Sequence, residues 1–210
     1  MSSVASGPAS PGEELPPAVR PRPGAGAGAC SAGPTPWQTV GPYLAIGFEP
    51  IASPHRDAIP AGSIRLSGRV LDGTGLGLPD AVVETWNDRP APEPALPGSA
   101  CFSRCLTDAD GRYEVVTPRP VAATIGPGPD QAPHLELMVF ARGLIRALRT
   151  RVYLPDETGA NEGDPVLRAV ADEARRATLV ATRDGADRAA YRFDVRIQAS
   201  GGLPETVFFA

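Results

Sequence analysis

The stretch Tyr191-Arg192-Phe193-Asp194-Val195-Arg196-Ile197-Gln198 decides the fold class. Tyr191, Phe193, Val195 and Ile197 share one face of an extended chain. Arg192, Asp194, Arg196 and Gln198 share the other. That is the period-two pattern of a half-buried strand. Upstream, Arg183-Asp184-Gly185 reads as a turn and Thr178 to Ala181 as a short strand. Downstream, Thr206 to Phe209 closes the chain.

The same alternation recurs towards the N-terminus. Ile64, Leu66 and Val70 interleave with Arg65, Ser67 and Arg69, and a Gly-rich turn at Asp72 to Gly75 leads to a second strand, Ala81 to Trp86. Residues 88–98 form a Pro-rich loop. Cys105-Leu106-Thr107 and Tyr113 to Val116 flank Asp108-Ala109-Asp110-Gly111, which signals a hairpin. The Asp-x-Asp-Gly also resembles a fragment of a calcium loop, but the full ligand pattern is absent. In the apolar strand His134 to Ala141, Leu135, Leu137 and Val139 face one way, and His134, Glu136, Met138 and Phe140 the other. Thr150 to Leu154 is a further strand. Asp164-Pro165 opens a helix, with Asp as N-cap and Pro at the first helical position, ending near Glu173. Many short strands, Gly/Pro turns and one helix predict an all-β fold: an antiparallel β-sandwich or flattened barrel with one short helix.

Residues 1–33 are Ala, Gly, Pro and Ser with scattered charge. Such a segment cannot bury enough apolar surface to offset the entropy of ordering, so it is expected to be a disordered tail before one domain over 34–210. The 210 residues carry a net charge of −4, which leaves no basic patch for nucleic acid, and every Lys/Arg position is Arg. Three cysteines, Cys30, Cys101 and Cys105, match neither a zinc knuckle nor a disulfide framework. They read as free thiols in a reducing compartment, with a Cys101–Cys105 pair as the alternative. No apolar run is long enough to span a membrane, and the chain reads as cytoplasmic.

The strand at His134 also bears on metal chemistry. Ligands at i and i+2 reach one ion from one strand face, but this chain offers His134 and then Glu136, and its other histidine, His55, lies in a distant loop. A site of two His and one carboxylate would need a second His.

Three segments together resemble the intradiol ring-cleaving dioxygenases: Thr35 to Tyr43, Cys105 to Tyr113, and Ala132-Pro133-His134 through Phe140 to Gly143. The strand 191–198 and the tail Glu205 to Phe209 support the likeness, which runs from about Thr35 to the end. Catalytic members of that family hold ferric iron with two Tyr and two His. Here the matching loops, Asn87 to Ala100 and Pro118 to Pro133, contain no Tyr, and an Arg of the catalytic chains falls at Gln131. The resemblance therefore implies the non-iron-binding α subunit of the family's heteromeric enzyme. No catalytic residue lies in this chain, and His134 marks a relict ligand position. Fe(III) is implied in a catalytic β subunit partner, with αβ units in a larger oligomer. The implied reaction is O2-dependent cleavage of the aromatic substrate protocatechuate to 3-carboxy-cis,cis-muconate. Thr39 and Tyr43 are implied beside the substrate and Arg142 at the mouth of the site. Arg142 could pair with the substrate carboxylate, or else make an ordinary salt bridge. Tyr113 and Tyr153 are expected in the core rather than as phenolate ligands. Two rivals are an enzyme that works alone with a divergent site and a β-sandwich scaffold or binding module unrelated to catechols.

Overall fold

The computed structural model describes residues 37–39, 41, 43–48, 59, 61–88, 102–124 and 130–209, all within the unit Trp37–Ala210. The expected tail at 1–33, together with His55, Cys30 and Cys101, lies outside the described residues.

The described residues build two sheets around one core. The first is centred on β1 (Ser63–Leu71), which pairs antiparallel with β4 (Arg112–Pro118). On its other side, β10 (Ala190–Arg192) and β11 (Val195–Arg196) both run parallel to β1, and β9 (Thr182–Arg183) pairs with β10. The second sheet is antiparallel throughout, in the order β3 (Phe102–Leu106), β2 (Val82–Trp86), β7 (His134–Phe140), β8 (Leu148–Tyr153). A short ladder joins β5 (Ala123–Thr124) to β6 (Asp130–Gln131). Ile64, Leu66, Val70, Val115, Tyr191 and Val195 of the first sheet meet Val83, Leu135, Leu137, Val139 and Val152 of the second. This is the expected sandwich, and burial of those side chains is its main stabilising term.

The order of pairing departs from the sequence reading in two places. The turns at Asp72–Gly75 and Asp108–Gly111 are present, the second closed by Gly111 at φ +76 and by its N–H donating to the Asp108 carbonyl at 2.9 Å. The strands they join belong to different sheets, so each is an arch across the sandwich rather than a hairpin. Local turn chemistry sets the reversal, but which neighbour each strand pairs with is decided by packing. The stretch 190–197 alternates as read, with Tyr191, Phe193 and Val195 buried, yet its ladder with β1 is interrupted at Phe193 and Asp194. There the Phe193 carbonyl closes on Gly68: a Cβ on that glycine would lie 1.8 Å from the oxygen. The Asp194 carboxylate takes over the ladder position by accepting from the Arg69 N–H at 3.0 Å.

Among the described residues four short helices occur where one is expected: α1 (Tyr43–Phe48), α2 (Thr158–Gly163), α3 (Pro165–Ala169) and α4 (Glu173–Ala177). Asp164 caps α3 as read, accepting from Val166 and Leu167 N–H groups. The helix stops at Val170, which is extended, and Asp172 starts a new one by capping Arg175. Instead of a strand at 178–181, only a parallel bridge from Val180 to Tyr153 is present. α3 contributes Leu167 to a second apolar cluster with Ala132, Tyr153, Leu179 and Val207.

Candidate functional site

The register of β7 on β8 places His134 opposite Tyr153, Glu136 opposite Arg151 and Met138 opposite Arg149. Because side chains alternate, these residues share the face turned away from the main core. On that face Glu136 is buried, and its two carboxylate oxygens are taken separately. Arg149 Nε donates to Oε2 and Arg151 Nε to Oε1, each at 2.9 Å. Arg151 also donates to Gln131 Oε1 at 3.0 Å. The cluster borders a cavity of about 130 Å³ lined by Glu136, Arg149, Arg151, Val166 and Phe209.

His134 sits at the inner end of this cluster. Its Nδ1 lies 2.7 Å from the Ala132 carbonyl, which fixes the ring, and its Nε2 is 3.8 Å from Glu136 Oε1. Burial depresses its basicity below the usual histidine range, with the Arg151 charge adding to the effect; the Ala132 carbonyl and Glu136 oppose it without prevailing. Tyr153 is fully buried beside it and donates to Asp164 Oδ1 at 3.1 Å. Burial pushes the phenol well above its usual value; the Arg151 hydrogen bond only offsets this, and the nearby Asp164 carboxylate adds to it. Asp164, itself buried, also accepts from the Ala132 N–H at 2.9 Å. One carboxylate thus ties the start of α3 to the strand carrying His134.

This donor set does not fit ferric iron. Glu136 has both oxygens committed to guanidinium groups, and Tyr153 is held as a neutral phenol. Among the described residues, no group of three His, Cys, Asp or Glu side chains could hold a metal ion together. Tyr113 is likewise core: it is buried, and its hydroxyl donates to the Phe193 carbonyl at 2.6 Å.

The three residues expected near substrate are not gathered at His134. Arg142 lies in the turn after β7, past the end of the strand opposite His134, with β7 itself spanning about 20 Å at the usual rise per residue. It is exposed and lies 3.4 Å from Asp80. Thr39 is exposed, and its Oγ1 accepts from the Gly41 N–H at 3.4 Å. Tyr43 begins α1, and its side chain lies outside the described residues. Sequence reasoning missed Arg149 and Asp164 as members of the cluster. The signal was available in the i, i+2 spacing of Arg149 and Arg151, which puts two cations on the face that carries Glu136.

Known proteins share this chain's pattern. A protein-family model described as "Dioxygenase" matches residues 49–199. The protocatechuate 3,4-dioxygenase alpha chain of Burkholderia cepacia is 41% identical over 201 residues, covering 83% of this chain and 96% of that one. The alpha chain of the same name from Pseudomonas putida is 38% identical over 197 residues, covering 83% and 95%. The protocatechuate 3,4-dioxygenase beta chain of Burkholderia cepacia is 28% identical over 158 residues, covering 67% and 66%. Together with the two-sheet sandwich, these matches establish that the chain belongs to the intradiol dioxygenase family.

Proposed function

We propose that this chain is the α subunit of a protocatechuate 3,4-dioxygenase, a member of the fold that has given up metal binding and works as one half of an αβ enzyme. The observation that carries this reading is the occupation of Glu136 by Arg149 and Arg151 at the strand position where a ligating His would stand. A carboxylate with both oxygens in charge-assisted hydrogen bonds supports strand pairing rather than coordination. The similarity to two α chains over most of this sequence supports the same assignment.

Ferric iron in a catalytic β subunit would supply the activation of the catecholate towards O2. Both oxygen atoms enter protocatechuate between its hydroxyl-bearing carbons, giving 3-carboxy-cis,cis-muconate. This chain contributes fold support, an oligomer interface and part of the pocket wall. In that wall Thr39 and Tyr43 offer hydroxyl groups and an aromatic face, and Arg142 offers a cation for the substrate carboxylate. The assembled αβ units work in the cytoplasm, preceded in this chain by a tail over 1–33.

The test is to purify the chain alone and co-expressed with a β-type chain of the same family. The isolated chain should be colourless, iron-free and inactive, and the complex should contain iron in proportion to the β chain and cleave protocatechuate. Stoichiometric iron and ring cleavage by the isolated chain would overturn the reading. Failure to form a complex with the β-type chain would turn it towards a scaffold role.

A further inference from the structure

A second cavity, of about 360 Å³, opens among the short helices that follow β8. Its floor is apolar: Pro155, Leu167 and Val180, the last two part of the second apolar cluster. Its rim is polar, with Thr158, Asn161 and Glu162 from α2, Arg168 from α3 and Arg176 from α4. It lies on the other side of α3 from the Glu136 cluster, since Val166 lines that smaller cavity while Leu167 and Arg168 line this one.

Two arginines line its rim. Arg176 is half-buried and Arg168 exposed, and among the described residues neither has an ion-pair partner. A guanidinium withdrawn from water without a counter-ion is costly, so the rim favours an incoming anion. Glu162 sets one negative charge against the two positive ones, leaving the rim net cationic. A ligand matched to both parts has a small apolar body and a carboxylate, and the cavity volume falls in the range of small-molecule sites, about 300–1,000 Å³.

We propose that this cavity binds a small organic carboxylate, its apolar body resting on Leu167 and Val180 and its carboxylate bridging Arg168 and Arg176. The inference stands on the cavity alone and does not depend on the assignment as an α subunit. Planar guanidinium groups suit carboxylates because they offer paired N–H donors.

The experiment is calorimetric titration of the full-length chain with benzoate, and with benzamide as its uncharged counterpart. Benzoate should bind the unmodified chain and benzamide at least about tenfold more weakly. Arg168→Gln and Arg176→Gln, both changes of exposed or half-buried groups that leave the core intact, should each weaken benzoate by about tenfold. Arg149→Gln, on the smaller cavity, should leave benzoate affinity unchanged. The proposal is overturned if benzoate shows no saturable binding up to ~10 mM, if benzamide binds equally well, or if affinity falls in Arg149→Gln but not in Arg168→Gln or Arg176→Gln.

Discussion

The Tyr113 hydroxyl donates to the Phe193 carbonyl at 2.6 Å, and its ring lies against Gly68, its partner across the β1–β4 ladder. The glycine lets the carbonyl turn inward, and the tyrosine supplies the hydrogen bond that the turned carbonyl would otherwise lack. Tyr113→Phe removes only the donor and should cost about 1–3 kcal/mol, the penalty for leaving a buried carbonyl unpaired. Gly68→Ala should cost more, because a Cβ there would lie 1.8 Å from the Phe193 oxygen and 2.6 Å from its carbon. Urea unfolding midpoints of the two variants check the order; a neutral Tyr113→Phe would show that the hydroxyl is not needed.

Asp164 serves two elements with one side chain. Its Oδ1 accepts from Val166 and Leu167 N–H groups and from Tyr153, and its Oδ2 from Ala132. Asp164→Ala should cost about 3 kcal/mol or more, combining a lost N-cap with stranded buried donors. Asp164→Asn, which keeps one acceptor oxygen, should fall between. Equilibrium unfolding of the two variants measures the difference, and equal losses would reduce Asp164 to a helix cap.

His134 should make stability depend on mild acid. Its folded basicity lies below that of the unfolded residue, so the unfolded chain takes up the proton first as pH falls. The stabilisation is therefore complete above the unfolded value, about 6.5, and is lost as pH drops through it towards the folded one. His134→Gln should flatten the dependence of unfolding free energy on pH in that window. An unchanged slope would assign the acid sensitivity to other groups.

Cys105 should be inert while the protein is folded. Burial pushes its thiol up to about 12, outweighing the Glu114 backbone hydrogen bond, so almost none is thiolate at pH 8. Iodoacetamide labelling followed by peptide mapping should find the Cys105 peptide unmodified in the native chain and modified after denaturation. Rapid native labelling would show that this end of the sandwich opens.

Arg142 separates a structural role from a functional one. Its contact with Asp80 is between exposed groups, so Arg142→Ala should change stability by no more than about 1 kcal/mol. In the assembled enzyme the same variant should raise KM for protocatechuate while iron content stays constant. A KM unaffected at any ionic strength would remove Arg142 from the pocket wall.

The alternation of hydrophobic residues carried most of the fold. Tyr191, Phe193 and Val195 point inward as their spacing requires, and the Asp164-Pro165 cap lies where its chemistry predicts. Pairing was not legible. Nothing local in Cys105 to Val116 says that the strands on either side of the turn join different sheets, because that depends on partners far along the chain. The one short helix expected from Asp164-Pro165 to about Glu173 stops at Val170, and Asp172 caps a separate one. The Glu136 cluster was half visible: His134 and Glu136 share a strand face in the sequence, whereas the arginines that clamp the carboxylate emerge only once β8 is set beside β7.

The parallel run beside β1 has a consequence for biosynthesis. Arg65 must wait for Ala190 and Arg69 for Asp194, a separation of 125 positions. A nascent chain leaving the ribosome would display β1 with one flank bare until residues 190–196 have emerged. Chains truncated before residue 190 would keep that exposed margin permanently and should associate edge to edge, so a stop ahead of residue 190 would produce insoluble protein rather than a shortened but serviceable chain.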